Sequence, residues 1–172
     1  MLKKNKNKGI LFWIEGFSGS GKTSISRKIY PKIRKLYGPT LIIQGDNFRK
    51  IFNLKSFSKK GRYENSKKYR KFSRYITDQN INLIFTVVGM MKETRKWLKK
   101  NVNNYVDIYI KSDLEKIKKK NKKKIYKLKN NIVGVHIKPD LPIDAKIIVN
   151  NDFSESIDSI SDKLIKKIKA LK

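Results

Sequence analysis

Apolar residues occur along the chain in two patterns, short continuous runs and segments with helical spacing. Continuous runs rich in β-branched residues are typical of strands buried in a parallel sheet. Strands are predicted on this basis at Ile10–Glu15, Thr40–Gln44, Asn82–Val88, Tyr105–Ile110 and Lys146–Val149. The segment Asp46–Lys60 has neither pattern and is predicted as a loop with short helical pieces.

The segments between these strands repeat apolar residues every three or four positions, as on the buried face of a helix. Helices are predicted at Gly21–Tyr37, approximately Tyr63–Gln79, Lys92–Asn101, Ser112–Lys120 and Phe153–Leu171. The predicted inward-facing residues are Ile25, Ile29, Ile33 and Leu36, then Tyr69, Phe72, Tyr75 and Ile76, and finally Ile157, Ile160, Leu164, Ile165 and Ile168. Ser112 and Glu115 have the spacing of a capping box, which predicts a helix start at Ser112.

Strands that alternate with helices predict an α/β fold in which a five-stranded parallel sheet carries helices on both faces. At 172 residues, the chain is expected to be a single domain over 1–172. Ligands of such sheets bind at the carboxyl ends of the strands. The candidate chemistry is therefore sought in the segments that follow the strands.

The first predicted strand leads into Gly16-Phe17-Ser18-Gly19-Ser20-Gly21-Lys22-Thr23. This run matches the P-loop pattern G-x-x-x-x-G-K-[ST] between a strand and a helix, the context that the motif requires. Its glycines let backbone N–H groups approach a polyphosphate, which Lys22 can also reach, while the Thr23 hydroxyl can bind Mg²⁺. The motif predicts a bound nucleoside triphosphate with Mg²⁺, a P-loop three-layer sandwich, and nucleotide contacts from Gly16, Ser18, Gly19, Ser20, Gly21, Lys22, Thr23 and Ser24.

The formal net charge of +29 is large enough to attract nucleic acid. The lysines are spread through the whole chain beside many asparagines and isoleucines, a bias that an AT-rich coding sequence also produces. A nucleic-acid partner is therefore not expected. The lack of cysteine, of a secretory signal and of an apolar run of about 18 residues predicts a cytoplasmic protein with no membrane partner.

Three segments after the strands carry further candidate residues. Asp46, after the second strand, is either a carboxylate that accepts the proton of an attacking hydroxyl, or an N-cap or turn acid before a helix. The segment Phe57–Asn65 either stacks a base and grips an anion or is an ordinary surface loop. The basic stretch 116–142 is either a solvated surface or a lid that closes over phosphates, and its His136 is expected to be a surface residue.

The ordered set of motifs resembles adenylylsulfate kinase from about Ile10 to Asn150. The resemblance rests on the P-loop and its preceding strand, Gly45-Asp46-Asn47-Phe48-Arg49, Phe57-Ser58-x-x-x-Arg62-x-Glu64-Asn65, Ile125-Tyr126-Lys127 and Val133-Gly134-Val135. It implies transfer of the γ-phosphate of ATP to the 3′-hydroxyl of adenylylsulfate with Mg²⁺, by an enzyme that is usually a homodimer.

The resemblance also implies a role for each matching residue. Lys22 and Asp46 would be catalytic, with Asp46 facing the 3′-hydroxyl, and Thr23 would bind the metal. The residues implied to hold the acceptor nucleotide are Arg49, Phe57, Arg62 and Asn65, and Tyr126 and Lys127 would belong to the lid.

The sequence departs from the family pattern at several positions. Gln44 and Gly61 replace aspartates, and Lys120 replaces the arginine expected beside the adenine of ATP. The family's Ile-Ser-Pro-Tyr-Arg segment reads Val88-Gly89-Met90-Met91-Lys92. Since that segment lines the acceptor side, Val88, Gly89 and Lys92 are candidate substrate-binding residues in a changed setting.

The acceptor is therefore left open. Adenylylsulfate is the first expectation. A divergent branch of these kinases in bacterial surface-polysaccharide pathways is also similar to this chain, and cytidine diphosphoramidate or another nucleotide is the alternative acceptor. A non-catalytic nucleotide- or RNA-binding module is the alternative of a different class, although RNA-binding signatures are absent.

Overall fold

Five parallel strands form one sheet whose carboxyl ends point to the same edge. The computed structural model describes residues 8–120, 126 and 130–171. The strands are β1 (Ile10–Glu15), β2 (Thr40–Gln44), β3 (Asn82–Val87), β4 (Asn104–Lys111) and β5 (Ile147–Asn150), in the spatial order β2-β3-β1-β4-β5. The predicted parallel sheet is confirmed, and each predicted strand is found within one residue of its predicted ends.

Helices cover both faces of this sheet. They are α1 (Lys22–Tyr37), α2 (Gly45–Ile51), α3 (Lys59–Asp78), α4 (Lys92–Asn101), α5 (Leu114–Lys120) and α6 (Ile157–Lys169). Alternate residues of β1 face opposite sides, so that Phe12 and Ile14 pack with α1 and α6, while Leu11 and Trp13 pack with α3 and α4. The core therefore has two layers that hold the strand ends rigidly from both sides. Among the described residues, no helix is both long enough and apolar enough to cross a bilayer.

Two helix starts differ from the prediction because hydroxyl caps decide them. The helix predicted from Tyr63 begins at Lys59, where the Ser58 hydroxyl accepts a hydrogen bond from the Gly61 N–H. The helix predicted from Phe153 begins at Ile157, where Ser156 caps the Ser159 N–H. In both cases the apolar pattern locates the helix, while a single oxygen acceptor sets its first turn.

Two local predictions are wrong. Tyr75 is 64% exposed, because it lies off the face of α3 that buries Tyr69. The capping box at Ser112 does not form: the Asp113 carboxylate accepts from the Lys116 N–H, and the buried Ser112 hydroxyl has no hydrogen-bond partner in the described structure. The segment predicted as a loop with short helical pieces contains the seven-residue helix α2, followed by irregular chain up to α3.

Candidate active site at the carboxyl ends of the strands

A cavity of about 540 Å³ lies at the carboxyl ends of β1, β2 and β3 and has two halves. The first, which we name the P-loop half, is lined by Ser18, Gly19, Gly21, Lys22, Thr23, Ser24, Ile117, Lys120, Tyr126, Asn151 and Phe153. The second, which we name the arginine half, is lined by Glu15, Asp46, Arg49, Phe57, Arg62, Asn65, Ser66, Val88, Gly89, Met90, Met91 and Thr94. The two halves form one continuous space.

The P-loop is a tight turn held against the neighbouring strand ends. Gly19 and Gly21 have φ values of 83° and 89°, in the left-handed region that favours glycine. A Cβ on Gly21 would lie 2.8 Å from the Asn151 Nδ2, which donates to the Ser20 carbonyl at 3.0 Å. A side chain at Gly21 would therefore push the loop away from Asn151, the residue that follows β5, and one at Gly19 would press on Ile117 of α5, 2.9 Å from the added Cβ.

Lys22, the first residue of α1, is buried with its ammonium inside the loop. Its Nζ donates to the Phe17 carbonyl at 2.5 Å and to the Ser20 hydroxyl at 3.4 Å. Gly21, Thr23 and Ser24 line the cavity around the start of this 16-residue helix. The unpaired N–H groups and positive end of a helix attract anions, so this half is suited to bind a polyphosphate.

Phe153 forms the far wall of the P-loop half. Its φ of 70° is unusual for a residue with a side chain, and its N–H donates to the Asn151 side chain at 3.1 Å. The Lys120 Nζ lies 5.0 Å from the centre of its ring and donates to its carbonyl at 3.2 Å. An aromatic ring that carries a cation can flank a nucleotide base. The sequence prediction missed this role because it placed Phe153 within a helix.

Two guanidinium groups share one aromatic ring in the arginine half. The Arg49 and Arg62 Cζ atoms lie 4.9 Å and 5.5 Å from the centre of the Phe57 ring. Arg62 also donates to the carbonyls of Phe57 and Asn131, at 2.9 Å and 3.0 Å. Burial, and then the charge of Arg49, lower the pKa of Arg62. Two clustered cations of this kind favour an anionic ligand.

Asp46 lies in the first turn of α2 and forms an ion pair with Arg49. The N-cap of α2 is Gln44, and no side chain caps this helix. Asp46 is therefore not an N-cap, but it does occupy the position of an acid in the first turn of the helix. Its carboxylate is half exposed and lines the cavity, where it is available to a hydroxyl of a ligand.

A buried ion pair adjoins the arginine half. Glu15, the last residue of β1, is only 1% exposed, and the Arg95 Nη1 on α4 donates to its Oε2 at 3.2 Å. Burial raises the pKa of Glu15 to about 7, although Arg95 acts in the opposite direction. Next to this pair, the Thr94 hydroxyl donates to the Ser66 hydroxyl at 2.9 Å. The sequence prediction missed Glu15, although an acid at the end of an apolar strand is an available signal of a buried charge.

The segment 130–142, which we name the tether, contacts both halves of the cavity. A Cβ on Gly134 would lie 2.6 Å from the Phe17 ring, the Asn131 carbonyl accepts from Arg62, and the Asp140 N–H donates to the Met90 carbonyl at 2.9 Å. Met90 is buried with a φ of 30°. Whether the predicted lid 116–142 moves stays a prediction, but its described part already packs on the site.

Tyr126 also contacts the P-loop half. Its hydroxyl donates to the Ser18 carbonyl at 2.6 Å, and burial raises its pKa to about 12. At neutral pH the group is therefore a neutral hydrogen-bond donor. This contact places the predicted lid residue directly above the P-loop.

Most of the predicted site residues that the structure describes line the cavity, and three do not. Gly16 and Ser20 support the P-loop from behind: a Cβ on Gly16 would lie 2.7 Å from the Ile110 carbonyl, and Ser20 is fully buried. Lys92 is exposed outside the cavity lining, with its main-chain N–H bound to Asp140. Lys127 lies outside the described residues.

The described side chains that could bind the predicted Mg²⁺ are few. Among the described residues, no group of three or more His, Asp or Glu side chains could hold a metal ion, and His136 is exposed as predicted. Mg²⁺ is commonly bound by few protein ligands together with the phosphates of a substrate. A single hydroxyl, that of Thr23 beside the anion site, fits this mode of binding.

Comparison with known proteins identifies related chains. A family model described as adenylylsulphate kinase matches residues 8–150. The cytidine diphosphoramidate kinase of Campylobacter jejuni is 30% identical over 167 residues, covering 95% of this chain and 98% of that protein. The adenylyl-sulfate kinase of Clostridium kluyveri is 30% identical over 109 residues, covering 62% of this chain and 55% of that protein.

Solved structures share the fold. The APS kinase CysC of Mycobacterium tuberculosis, in complex with AMPPNP and APS, superposes with a TM-score of 0.81 over 94% of this chain and 98% of its own, at 20% identity. The predicted P-loop sandwich is confirmed by this likeness.

Proposed function

This chain belongs to the adenylylsulphate kinase family, and from that premise we propose that it transfers the γ-phosphate of ATP to the 3′-hydroxyl of a nucleotide held in the arginine half. The observation that carries the proposal is the continuity of the cavity. A buried lysine at a helix N-terminus lines one half, and two arginines beside a carboxylate line the other. Such a space brings a phosphate donor and an anionic acceptor together with little water between them.

In this proposal the P-loop half binds the triphosphate. The Lys22 ammonium moves from the Phe17 carbonyl to the phosphate oxygens, and the Thr23 hydroxyl holds Mg²⁺. When bound, the metal neutralises charge on the phosphates. Phe153 and Lys120 flank the base of ATP, and Tyr126 closes the half from above.

Asp46 orients the attacking hydroxyl in the transfer step. The 3′-oxygen forms a bond to the γ-phosphorus, the bond from that phosphorus to the β–γ bridging oxygen breaks, and ADP leaves. The proton of the hydroxyl passes to the Asp46 carboxylate and then to solvent. Arg49 holds Asp46 through the ion pair and, with Arg62, binds the anionic part of the acceptor.

Of the two acceptors that the sequence leaves open, we favour a cytidine diphosphoramidate over adenylylsulfate. The Campylobacter relative of that name matches nearly the full length of both chains, whereas the Clostridium adenylyl-sulfate kinase matches only part. The changed segment Val88–Met91 lines the acceptor side, which supports an altered acceptor. Adenylylsulfate remains the second candidate, favoured by Arg49, Phe57, Arg62 and Asn65.

Assembly and location are proposed only on the resemblance. A homodimer in the cytoplasm is the expectation that the family likeness supports. The non-catalytic module is not favoured, because Lys22, Thr23 and Asp46 all line the same cavity.

The test is a turnover assay of the full chain with Mg·ATP and each of cytidine diphosphoramidate, CDP and adenylylsulfate, following ADP and the phosphorylated nucleotide. Asp46→Asn should lower kcat on the order of 100-fold while ATP affinity stays within about twofold. Asp158→Asn is the matched control, because Asp158 is an exposed acid on α6 whose side chain pairs with Lys28. Absence of turnover on every acceptor, or equal loss of kcat and ATP affinity in Asp46→Asn, would contradict the proposal.

A further inference from the structure

We propose that Glu15 is a specificity-determining residue for the acceptor, whose carboxylate accepts a hydrogen bond from an N–H group on the terminal phosphoryl unit and rejects acceptors with an anionic oxygen there. The inference rests on the proposed function and deepens it. A diphosphoramidate differs from a nucleoside diphosphate in one substituent of the terminal phosphorus, which is an NH₂ group in place of an oxygen. Glu15 is proposed to recognise this substituent.

The first step is the position of Glu15. It is the last residue of the central strand, directly before the P-loop, and it lines the cavity. A chain of contacts connects it to the anion-binding arginines. Arg62, Asn65 and Ser66 lie three and four residues apart on α3, so they share one face of that helix.

Ser66 accepts from Thr94, and the next residue on α4, Arg95, donates to Glu15. Glu15 is therefore two contacts from the helix face that presents Arg62. Glu15 and both arginines line the same cavity, so an acceptor whose charged end is held by the arginines can reach this carboxylate.

The second step is the hydrogen-bonding capacity of the carboxylate. Arg95 Nη1 donates to Oε2, and the Trp13 side chain is a second hydrogen-bonding neighbour of the carboxylate. A carboxylate has two oxygens with about four acceptor sites in all. Capacity for a further donor therefore remains. An N–H group from a ligand would be a favourable partner in a site where Glu15 is only 1% exposed.

The third step is the charge around Glu15. Arg95 on α4 is the cation that faces it, while Asp107 on β4 adds a second negative charge that raises the pKa of Glu15. Tyr105 and Tyr109, also on β4, have pKa values raised by burial and by Glu15, and so stay neutral. Glu15 and Asp107 thus place two negative groups near Arg95. A third anionic group brought to this buried corner would be repelled, because little water is present to screen its charge.

These steps assign different tasks to the two parts of the arginine half. Arg49 and Arg62 hold the anionic oxygens that a diphosphoramidate, a diphosphate and a phosphosulfate all possess. Glu15 distinguishes the terminal group, because an NH₂ group donates to the carboxylate whereas an anionic oxygen is repelled. Specificity arises here from a repulsive element as well as an attractive one.

The experiment compares cytidine diphosphoramidate with CDP in the full-length chain. Wild type, Glu15→Gln and the control Glu64→Gln, an exposed acid on α3, are assayed at alkaline pH for kcat/KM with each acceptor and by calorimetry for acceptor and ATP binding. Removing the charge should lower the ratio of kcat/KM for diphosphoramidate to that for CDP at least tenfold, mostly by improving CDP, and leave ATP binding unchanged. The control should keep the wild-type ratio.

A second variant is needed because Glu15→Gln leaves Arg95 buried without its anion, which could destabilise the fold. The double variant Glu15→Met with Arg95→Met removes both charges and should also lose the preference for the diphosphoramidate. A wild-type preference that persists in both variants would overturn the inference. If wild type turns over neither acceptor, the proposed function fails, but the calorimetric binding ratio still decides the role of Glu15.

Discussion

The P-loop half and the arginine half of the cavity are built from different parts of the chain. The phosphate-binding part of the P-loop half is the turn Gly16–Thr23, whose main chain is held by glycines and by the side chain of Asn151. The arginine half consists of long side chains from α2, α3 and the segment between them, which contact one another across the Phe57 ring. The first half is thus a feature of the backbone, and the second is a feature of side-chain packing.

This difference determines what each half can recognise. A site formed by main-chain groups binds any triphosphate tail, because N–H groups and a helix N-terminus recognise only the charge and the shape of the phosphates. A side-chain site changes its ligand with a few substitutions, since each group supplies a distinct charge or hydrogen bond. We therefore expect variants of the P-loop half to affect every acceptor equally, and variants of the arginine half to affect acceptors differently.

The largest effect is expected from Lys22→Met. Loss of a buried cation that stabilises the transferred phosphoryl group should lower kcat on the order of 1,000-fold, about 4 kcal/mol, and by the same factor for all acceptors. Steady-state kinetics with two acceptors measures this. Lys120→Met is the control, because Lys120 is exposed and contacts Phe153; it should change only the KM for ATP, by a few fold. If the loss of kcat in Lys22→Met differed between acceptors, the P-loop half would also take part in acceptor recognition, contrary to the comparison.

The next effect concerns stability and pH. Folding raises the pKa of Glu15 from 4.5 to about 7, so the folded protein favours the protonated carboxyl. The protonated Glu15 carboxyl therefore contributes to the free energy of unfolding in full below pH 4.5. This contribution, on the order of 3 kcal/mol in total, is lost as the pH rises to about 7. Between these values, the free energy of unfolding of wild type should decline relative to that of Glu15→Gln, as urea titrations can measure. Parallel curves for the two proteins would contradict the prediction.

A smaller effect should separate two glycines with the same backbone conformation. Gly134 and Gly38 have φ values of 90° and 89°, but a Cβ on Gly134 would lie 2.6 Å from the Phe17 ring, whereas one on Gly38 would meet nothing within 4 Å. Gly38→Ala should cost about 1 kcal/mol from backbone strain alone. Gly134→Ala should cost about 2 kcal/mol by thermal unfolding and also raise the KM for ATP. Equal effects would show that the Phe17 contact contributes nothing.

The smallest effect is expected from Arg62→Lys. Lysine keeps the charge but cannot donate to two carbonyls while covering the Phe57 ring. The KM for the acceptor should rise about tenfold, or about 1.4 kcal/mol, with a much smaller change in the KM for ATP. A rise in the KM for ATP of the same size would mean that the two halves are not separate sites.

The sequence predicts the fold well because the strands are short apolar runs that pack on both faces and end next to Gly or polar residues. It predicts helix starts poorly, because Ser58, Asp113 and Ser156 each act through one hydrogen bond that competes with equally polar neighbours. Tyr75 was predicted to face the core because aromatic residues are often buried, and the residue type alone does not show which face of the helix the side chain occupies.

The same contrast holds for the site. The P-loop residues are contiguous, so a short pattern predicts their geometry. Glu15 and Arg95 are 80 residues apart, and no local pattern indicates that these two charges meet. Phe153 reaches the cavity through a left-handed backbone conformation that its neighbours in the sequence do not signal.

The tether has a consequence for the order in which substrates bind. It contacts Phe17 through Gly134, Arg62 through the Asn131 carbonyl and Met90 through Asp140. A substrate that displaced one of these three residues would disturb the tether contacts of the other two. We therefore expect binding of one substrate to change the affinity for the other, and thermodynamic reciprocity requires the same factor in both directions.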